Sequence, residues 1–346
     1  MTSSMFCRQC EQTENHYACA SSMGVCGKTA PTSLAQDVLV NQVIPKVAQH
    51  IVSKDNDNND PTASSTGMYD WLLEATFATL TNVNFDEASV KDYSMAGLHY
   101  LQQQQNDTTT DLEAVYRELS KATQHEIQDL QEATLNDTTS LIEFARNGLK
   151  GTCAYAFHVR QLLKQQQMID TSAFDEQWNG ILHDICHLWS IIGKQQQQSS
   201  SDTPDMSYDD LFQNVVLEVG SLNGKVLDLL DTLHSHVLGT PTPTPVQTTP
   251  VKGKCILVSG HDMTDLLQLC QQTQGTGINI YTHGEMMPGM SYTIKCDGET
   301  LSVAHPPCAC LSFVSFSIFL SRVSHALSIL DSSWLSSVSS IRSFDW

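Results

Sequence analysis

A chain of 346 residues, 40% of them hydrophobic, is long enough for two or three domains with cores of their own and needs no staples to fold. Its 38 acidic against 18 basic residues leave a formal net charge of -20, which repels phosphate backbones and anionic lipid, so nucleic acid and membrane surfaces are excluded as partners. The start joins no basic segment to an apolar core, so its eleven cysteines read as reduced or metal-bound thiols, and the expected location is the cytoplasm.

The cysteines that open the chain are the densest chemical signal. Cys7 and Cys10 are two residues apart, and Cys19 and Cys26 follow within the same short segment. A Cys-x-x-Cys turn sends two thiolates to adjacent corners of a metal site, and later cysteines close it from a following loop, where Gly24 and Gly27 permit the turn. A structural zinc site uses the same four ligands but commonly pairs two such knuckles, and only one is present here. The spacing therefore favours iron-sulfur and leaves zinc open.

Pro31 and Thr32 signal a helix start, and Leu34, Val38, Leu39, Val43, Val47 and Ile51 recur near helical spacing, with a kink expected at Pro45. Residues 53–66 are polar and read as loop before an amphipathic run through Trp71, Leu72, Ala75, Phe77, Ala78 and Leu80. Further helices are predicted over residues 112–119, 141–163, 174–192 and 211–233. The glutamine tracts 102–105, 165–167 and 195–198, the last followed by serines, read as loop expansions without a chemical role.

Alternating Thr and Pro over residues 239–250 form a semi-rigid linker. Beyond it the period changes: 255–259 reads as a strand, 263–272 as a helix and 278–282 as a second strand, one βαβ unit. The apolar run 313–320 is broken by Ser315 and Ser317 and is far shorter than the roughly 20 residues of a membrane span. The serine-rich stretch from about residue 301 has no clean period. The predicted architecture is a mainly α helical-bundle domain with the cysteine motif (1–238), the linker (239–250), the start of a Rossmann-like α/β domain (251–300) and a tail (301–346).

The wording of these segments resembles the hybrid-cluster (prismane) proteins, the hydroxylamine reductase family. Cys7-Arg-Gln-Cys-Glu-Gln-Thr13, Cys19 and Gly24-Val-Cys-Gly-Lys-Thr29 match the family's N-terminal signature. Phe77-Ala-Thr-Leu-Thr-Asn-Val-Asn84 and Gly148-Leu-Lys-Gly-Thr-Cys-Ala-Tyr-Ala156 ahead of His158 match further blocks. After the linker come Ile256-Leu-Val-Ser-Gly-His-Asp262, Gln272-Thr-Gln-Gly-Thr-Gly277 and Tyr281-Thr-His-Gly-Glu-Met286.

The resemblance implies that Cys7, Cys10, Cys19 and Cys26 ligate an electron-relaying cluster, 4Fe-4S, with 2Fe-2S as the alternative nuclearity. His261 and Glu285, read alone, are an ordinary loop histidine and a solvated acid. The resemblance makes them ligands of the family's hybrid iron-sulfur-oxygen cluster, with Asp262 and His283 supporting them. It further implies an oxidoreductase that takes electrons from a redox partner and reduces a small nitrogenous substrate, hydroxylamine to ammonia and water, with nitric oxide reduction as a related activity.

In the family the remaining hybrid-cluster ligands, several cysteines and a further glutamate, come from later sequence. The chain is therefore expected to be truncated, with the hybrid cluster not assembled on two ligands and an unpaired sheet edge left behind. Two alternatives stand beside the enzyme: an inactive iron-sulfur-binding fragment, and a zinc-stapled helical interaction module. Cys153, Cys186, Cys255, Cys270, Cys296, Cys308 and Cys310 read as small apolar or surface residues without ligand roles.

Overall fold

In the computed structural model, residues 5–10, 13–14, 17–57, 66–81, 83–132, 137–164, 172–198, 206–243, 245, 251–292, 295–296, 299–300 and 341–345 are described. Packing divides the chain into two compact units, Met1–Arg160 with Asp170–Leu230, and Gln161–Ile169 with Asp231–Trp346. The architecture is mostly helical. No helix among the described residues is long and apolar enough to cross a membrane.

In the first unit, Thr29 caps α1 (Ala30–Val38), accepting from the Thr32 N–H, and Pro31 sits in the first turn, where its missing N–H costs nothing. The chain runs on through a π turn, Leu39–Val43, into α2 (Ile44–Asp57). The kink expected at Pro45 is taken up by this turn. Proline offers no N–H to the carbonyl four residues back and its ring crowds that carbonyl, and the wider π turn relieves both. Val38, Leu39, Val43, Val47 and Ile51 are all fully buried, and Leu34 is half-buried.

The first unit continues with α3 (Thr66–Ala78), α4 (Glu87–Gln104), α5 (Leu112–Glu132), α6 (Asp137–Leu163), α7 (Asp175–Gln198), the short α8 (Tyr208–Leu211) and α9 (Leu217–Leu238), which passes into the second unit. Its most extensive helix pair is α2 on α7, while α1 packs on α4 and α5. A glycine permits one close crossing: a Cβ at Gly97 of α4 would lie 2.6 Å from Trp71 and 2.7 Å from Val43.

Two loop expectations are corrected. Gln102–Gln104 and Gln195–Gln198 are helical, ending α4 and α7, and Gln195 is buried. Glutamine is a good helix former, so tracts that extend an existing helix add turns to it. The first residues of the 53–66 stretch likewise finish α2. The tract 165–167 lies outside the described residues.

The second unit carries β1 (Lys254–Ser259), α10 (Met263–Thr273) and β2 (Asn279–His283), with β1 and β2 parallel from Cys255 opposite Asn279 to Ser259 opposite His283. Leu266, Leu267, Leu269 and Cys270 of α10 pack with Val258, Ile280 and Met286 as its core. A 3-10 stretch, Gly284–Ser291, follows β2. The short β3 (Lys295–Cys296) and β4 (Glu299–Thr300) pair antiparallel.

The expected βαβ unit is present, and among the described residues the parallel part of the sheet consists of β1 and β2, which does not extend to a Rossmann-like domain. The free edge of β1 is also not left open. β5 (Ile341–Asp345) pairs with it antiparallel, Cys255 opposite Phe344 and Val258 opposite Ile341. The final residues of the unplaced tail thus satisfy backbone groups that an open edge leaves unpaired.

Candidate metal centre

The four N-terminal cysteines lie on a folded loop whose shape is set by backbone pairing. Cys7 and Cys19 form an antiparallel bridge, with the Cys7 N–H donating to the Cys19 carbonyl at 3.0 Å and the Cys19 N–H to the Cys7 carbonyl at 2.9 Å. Exchange of both bonds puts the two Cα atoms about 5.5 Å apart, with their side chains on one face. A second bridge joins Met23 to Thr29 and encloses the Cys26 turn, where Gly24 accepts from Gly27 and donates to Lys28.

Gly27 has φ +90°, a region that side-chain-bearing residues avoid. Gly24 is tight: a Cβ there would stand 3.0 Å from Met5 and 3.6 Å from Cys26 Sγ. Cys7 and Cys19 are buried, Cys10 and Cys26 half-buried, and all four are free thiols. Among the described residues, no three His, Cys, Asp or Glu side chains gather about a point as they would around a single metal ion.

Behind this loop stands a wall of buried charge. Both residues inside the Cys-x-x-Cys turn are anchored on α6: Arg8 pairs with Glu143, and Gln9 Oε1 accepts from Lys150 Nζ at 2.7 Å. Glu143 and Lys150 are two turns apart on that helix, so one rigid element holds the turn at two points. Gln9 Nε2 also donates to Asp37 of α1. Lys150 donates a second bond to the Thr79 carbonyl at 3.2 Å, and Lys28 Nζ approaches Cys7 Sγ at 3.8 Å. Arg146, between the two anchors, reaches Asn41 at 2.9 Å and Glu143 at 3.8 Å.

Burial and charge perturb these groups together. Burial pushes Asp37 up to about 6 against the pull of Gln9 and three cations. Burial pushes Lys150 down to about 7, assisted by Lys28 and Arg146. Burial also raises the Cys7 thiol, and Lys28 opposes that rise. Three basic side chains, Lys28, Arg146 and Lys150, are buried here against the one buried carboxyl of Asp37, while the half-buried Arg8 and Glu143 pair with each other, an excess of basic groups inside a protein of net charge -20. Unpaired buried cations are costly, and thiolate sulfurs are the anions at hand to balance them. The donor set and this charge fit a thiolate-held iron-sulfur cluster.

The sequence reading did not single out Gln9, Lys28, Asp37, Arg146 or Lys150. The legible signal was Lys150 lying beside Leu149 and Cys153, on a helix whose apolar residues recur at helical spacing.

In the second unit, Ser259 and His283 are the last paired residues of β1 and β2, and His261 and Glu285 each follow two residues later. Parallel pairing therefore brings both positions to one sheet edge, where α/β units commonly bind ligands. His261 is exposed, and Gly284 between His283 and Glu285 has φ +59°. Ser259 Oγ lies 3.4 Å from His283 Nδ1. The Asp262 carboxylate caps α10, accepting from the Thr264 N–H at 2.8 Å and its hydroxyl at 2.6 Å.

Cys153, Cys186, Cys255 and Cys270 are buried, and burial pushes Cys153 up to about 12. Cys308 and Cys310 lie outside the described residues.

Residues 5–297 match the Prismane/CO dehydrogenase family. The chain belongs to that family. It is 34% identical over 307 residues to a hydroxylamine reductase of Mannheimia succiniciproducens, an alignment that covers 83% of this chain and 51% of the relative. This prismane-family chain thus spans about half the length of the curated relative it matches.

Proposed function

We propose that Cys7, Cys10, Cys19 and Cys26 hold an iron-sulfur cluster, 4Fe-4S in type, and that the chain is part of a hydroxylamine reductase-like oxidoreductase. One observation carries this reading: four free thiols on a bridged loop, backed by a buried excess of cations. Membership in the prismane family, whose proteins bind iron-sulfur clusters, supports it, as does the similarity to a hydroxylamine reductase.

Within this reading the Cys7–Cys19 bridge presents two thiolates side by side, and the Gly24–Lys28 turn brings in Cys26. Arg8 and Gln9 fix the Cys-x-x-Cys turn on α6. The bound cluster supplies one-electron storage and relay. His261 and Glu285 are proposed as ligands contributed from the β1–β2 edge to the hybrid iron-sulfur-oxygen cluster at which substrate is reduced. Hydroxylamine, with two electrons from a redox partner and two protons, gives ammonia and water.

The test is anaerobic reconstitution, followed by electron paramagnetic resonance of the dithionite-reduced chain and assay of hydroxylamine-dependent oxidation of reduced viologen. A reduced-cluster signal is the expected result, and stoichiometric ammonia beside it would show that the substrate-reducing cluster assembles on this chain despite the missing later ligands. A cluster signal without ammonia restricts the function of this chain to electron relay. Zinc without sulfide overturns the reading in favour of a structural staple.

A further inference from the structure

We propose that Lys150, acting through Gln9, is a positioning residue for the Cys7–Cys10 turn, and that its ammonium, hydrogen-bonded behind that turn, helps set how readily a cluster held there is reduced. This inference rests on the cluster assignment above and deepens it.

Lysine is rarely buried without a partner, yet Lys150 is 2% exposed. Its ammonium is spent on two neutral acceptors, the Gln9 side-chain carbonyl and the Thr79 main-chain carbonyl. The carboxylate nearest in the network, that of Asp37, is reached only through the Gln9 amide. A lysine retained for packing alone is better replaced by an apolar side chain of similar volume. Its position is instead explained by what Gln9 connects it to: the residue between the two thiols of the Cys-x-x-Cys turn, held from α6 at the same time as Arg8 is held by Glu143.

Charge gives the second half of the argument. One-electron reduction takes an electron from an external donor, dithionite in the test, and makes the cysteine-held group one unit more negative. No protein bond forms or breaks. A cation fixed in a dry interior stabilises that added charge far more than a solvated one. Lys28 approaches Cys7 directly and Arg146 flanks Lys150 on α6, so Lys150 is the part of the positive wall that lies behind the Cys-x-x-Cys turn. Reduction potentials of such clusters respond to net charge and to hydrogen bonding near the sulfurs.

The experiment is dye-mediated anaerobic redox titration of the reconstituted full chain, with iron and acid-labile sulfide measured on each sample. Lys150→Met removes charge and donor, Lys150→Gln keeps a donor without the charge, and Gln9→Met cuts the link. Both Lys150 variants are expected to load iron and sulfide and to lower the reduction equilibrium constant about tenfold, about 59 mV for a one-electron couple. Gln9→Met is expected to shift it less and to broaden the spectrum of the reduced cluster.

Should Lys150→Met fail to fold, Lys150→Gln carries the same reading. Loaded variants with a wild-type potential overturn this inference and leave the cluster assignment standing. A wild-type chain that takes up no iron and sulfide overturns both.

Discussion

Pro45 and Gly193 meet at the crossing of α2 and α7: a Cβ at Gly193 would fall on the Pro45 ring, with Gln49 Nε2 only 3.3 Å away. The missing side chain on α7 is what lets α2 approach with its proline and π turn in place. The proline ring cannot swing aside, so the helix pair itself must separate to admit a methyl group.

Gly193→Ala is therefore expected to destabilise the protein by about 1–2 kcal/mol, overpacking outweighing alanine's better helix propensity. Gly180→Ala in the same helix, where nothing lies within 4 Å of the added Cβ, is expected to be neutral or stabilising. Urea denaturation of the two variants checks the pair, and equal midpoints would contradict the crossing.

Gly27 makes a separate demand. Its φ of +90° meets no steric neighbour, so Gly27→Ala is strained through the backbone alone, by about 1–2 kcal/mol. The strain falls beside Cys26. Iron occupancy after reconstitution is expected to drop in Gly27→Ala and to drop less in Gly27→Asn, since asparagine tolerates positive φ better. Full occupancy in Gly27→Ala would show that the Cys26 turn needs no special conformation.

Much of this fold was legible. The apolar spacing of α1 and α2 anticipates the buried Val38, Val43, Val47 and Ile51, and the change of period after the linker predicts β1, α10 and β2 to within a residue or two at their ends. The π turn was not legible, because a proline announces a disturbed helix without saying how the helix absorbs it. The glutamine tracts misled because low complexity hides a good helix propensity. The four cysteines announce themselves by spacing, whereas nothing in the sequence sets Lys150 and Asp37 apart from other charged residues. Only the meeting of α1, α6 and the Cys-x-x-Cys turn buries them. The pairing of β5 with β1 joins segments far apart in sequence and left no local mark.

Asp37 gives the cluster-free protein a pH signature. Its carboxyl is raised from 3.8 to about 6 by burial, so between those values the folded state holds a proton that the unfolded chain has released. Stability from this group is therefore present at the acid end and falls as pH rises through about 6, by on the order of 3 kcal/mol. Asp37→Asn, which keeps an acceptor for Gln9, is expected to flatten that fall. Denaturation curves of wild type and variant at pH 4 and pH 7 check it, and parallel pH profiles would contradict the burial of a titrating carboxyl.

His261 belongs to the other unit and is exposed at the end of β1. His261→Ala is expected to leave the iron and sulfide held by the four cysteines unchanged, with any loss confined to hydroxylamine turnover. Loss of all iron from that variant would mean that the metal is not on the N-terminal loop.

The central claim is that Cys7, Cys10, Cys19 and Cys26 hold one iron-sulfur cluster. Iron, zinc and acid-labile sulfide per chain, measured after anaerobic reconstitution of wild type, Cys7→Ser, Cys10→Ser and the buried control Cys153→Ser, test it most directly. Iron and sulfide in matched amounts in wild type and Cys153→Ser, and their loss in Cys7→Ser and Cys10→Ser, is the predicted result. Undiminished iron and sulfide in Cys7→Ser and Cys10→Ser, or zinc without sulfide in wild type, would contradict it.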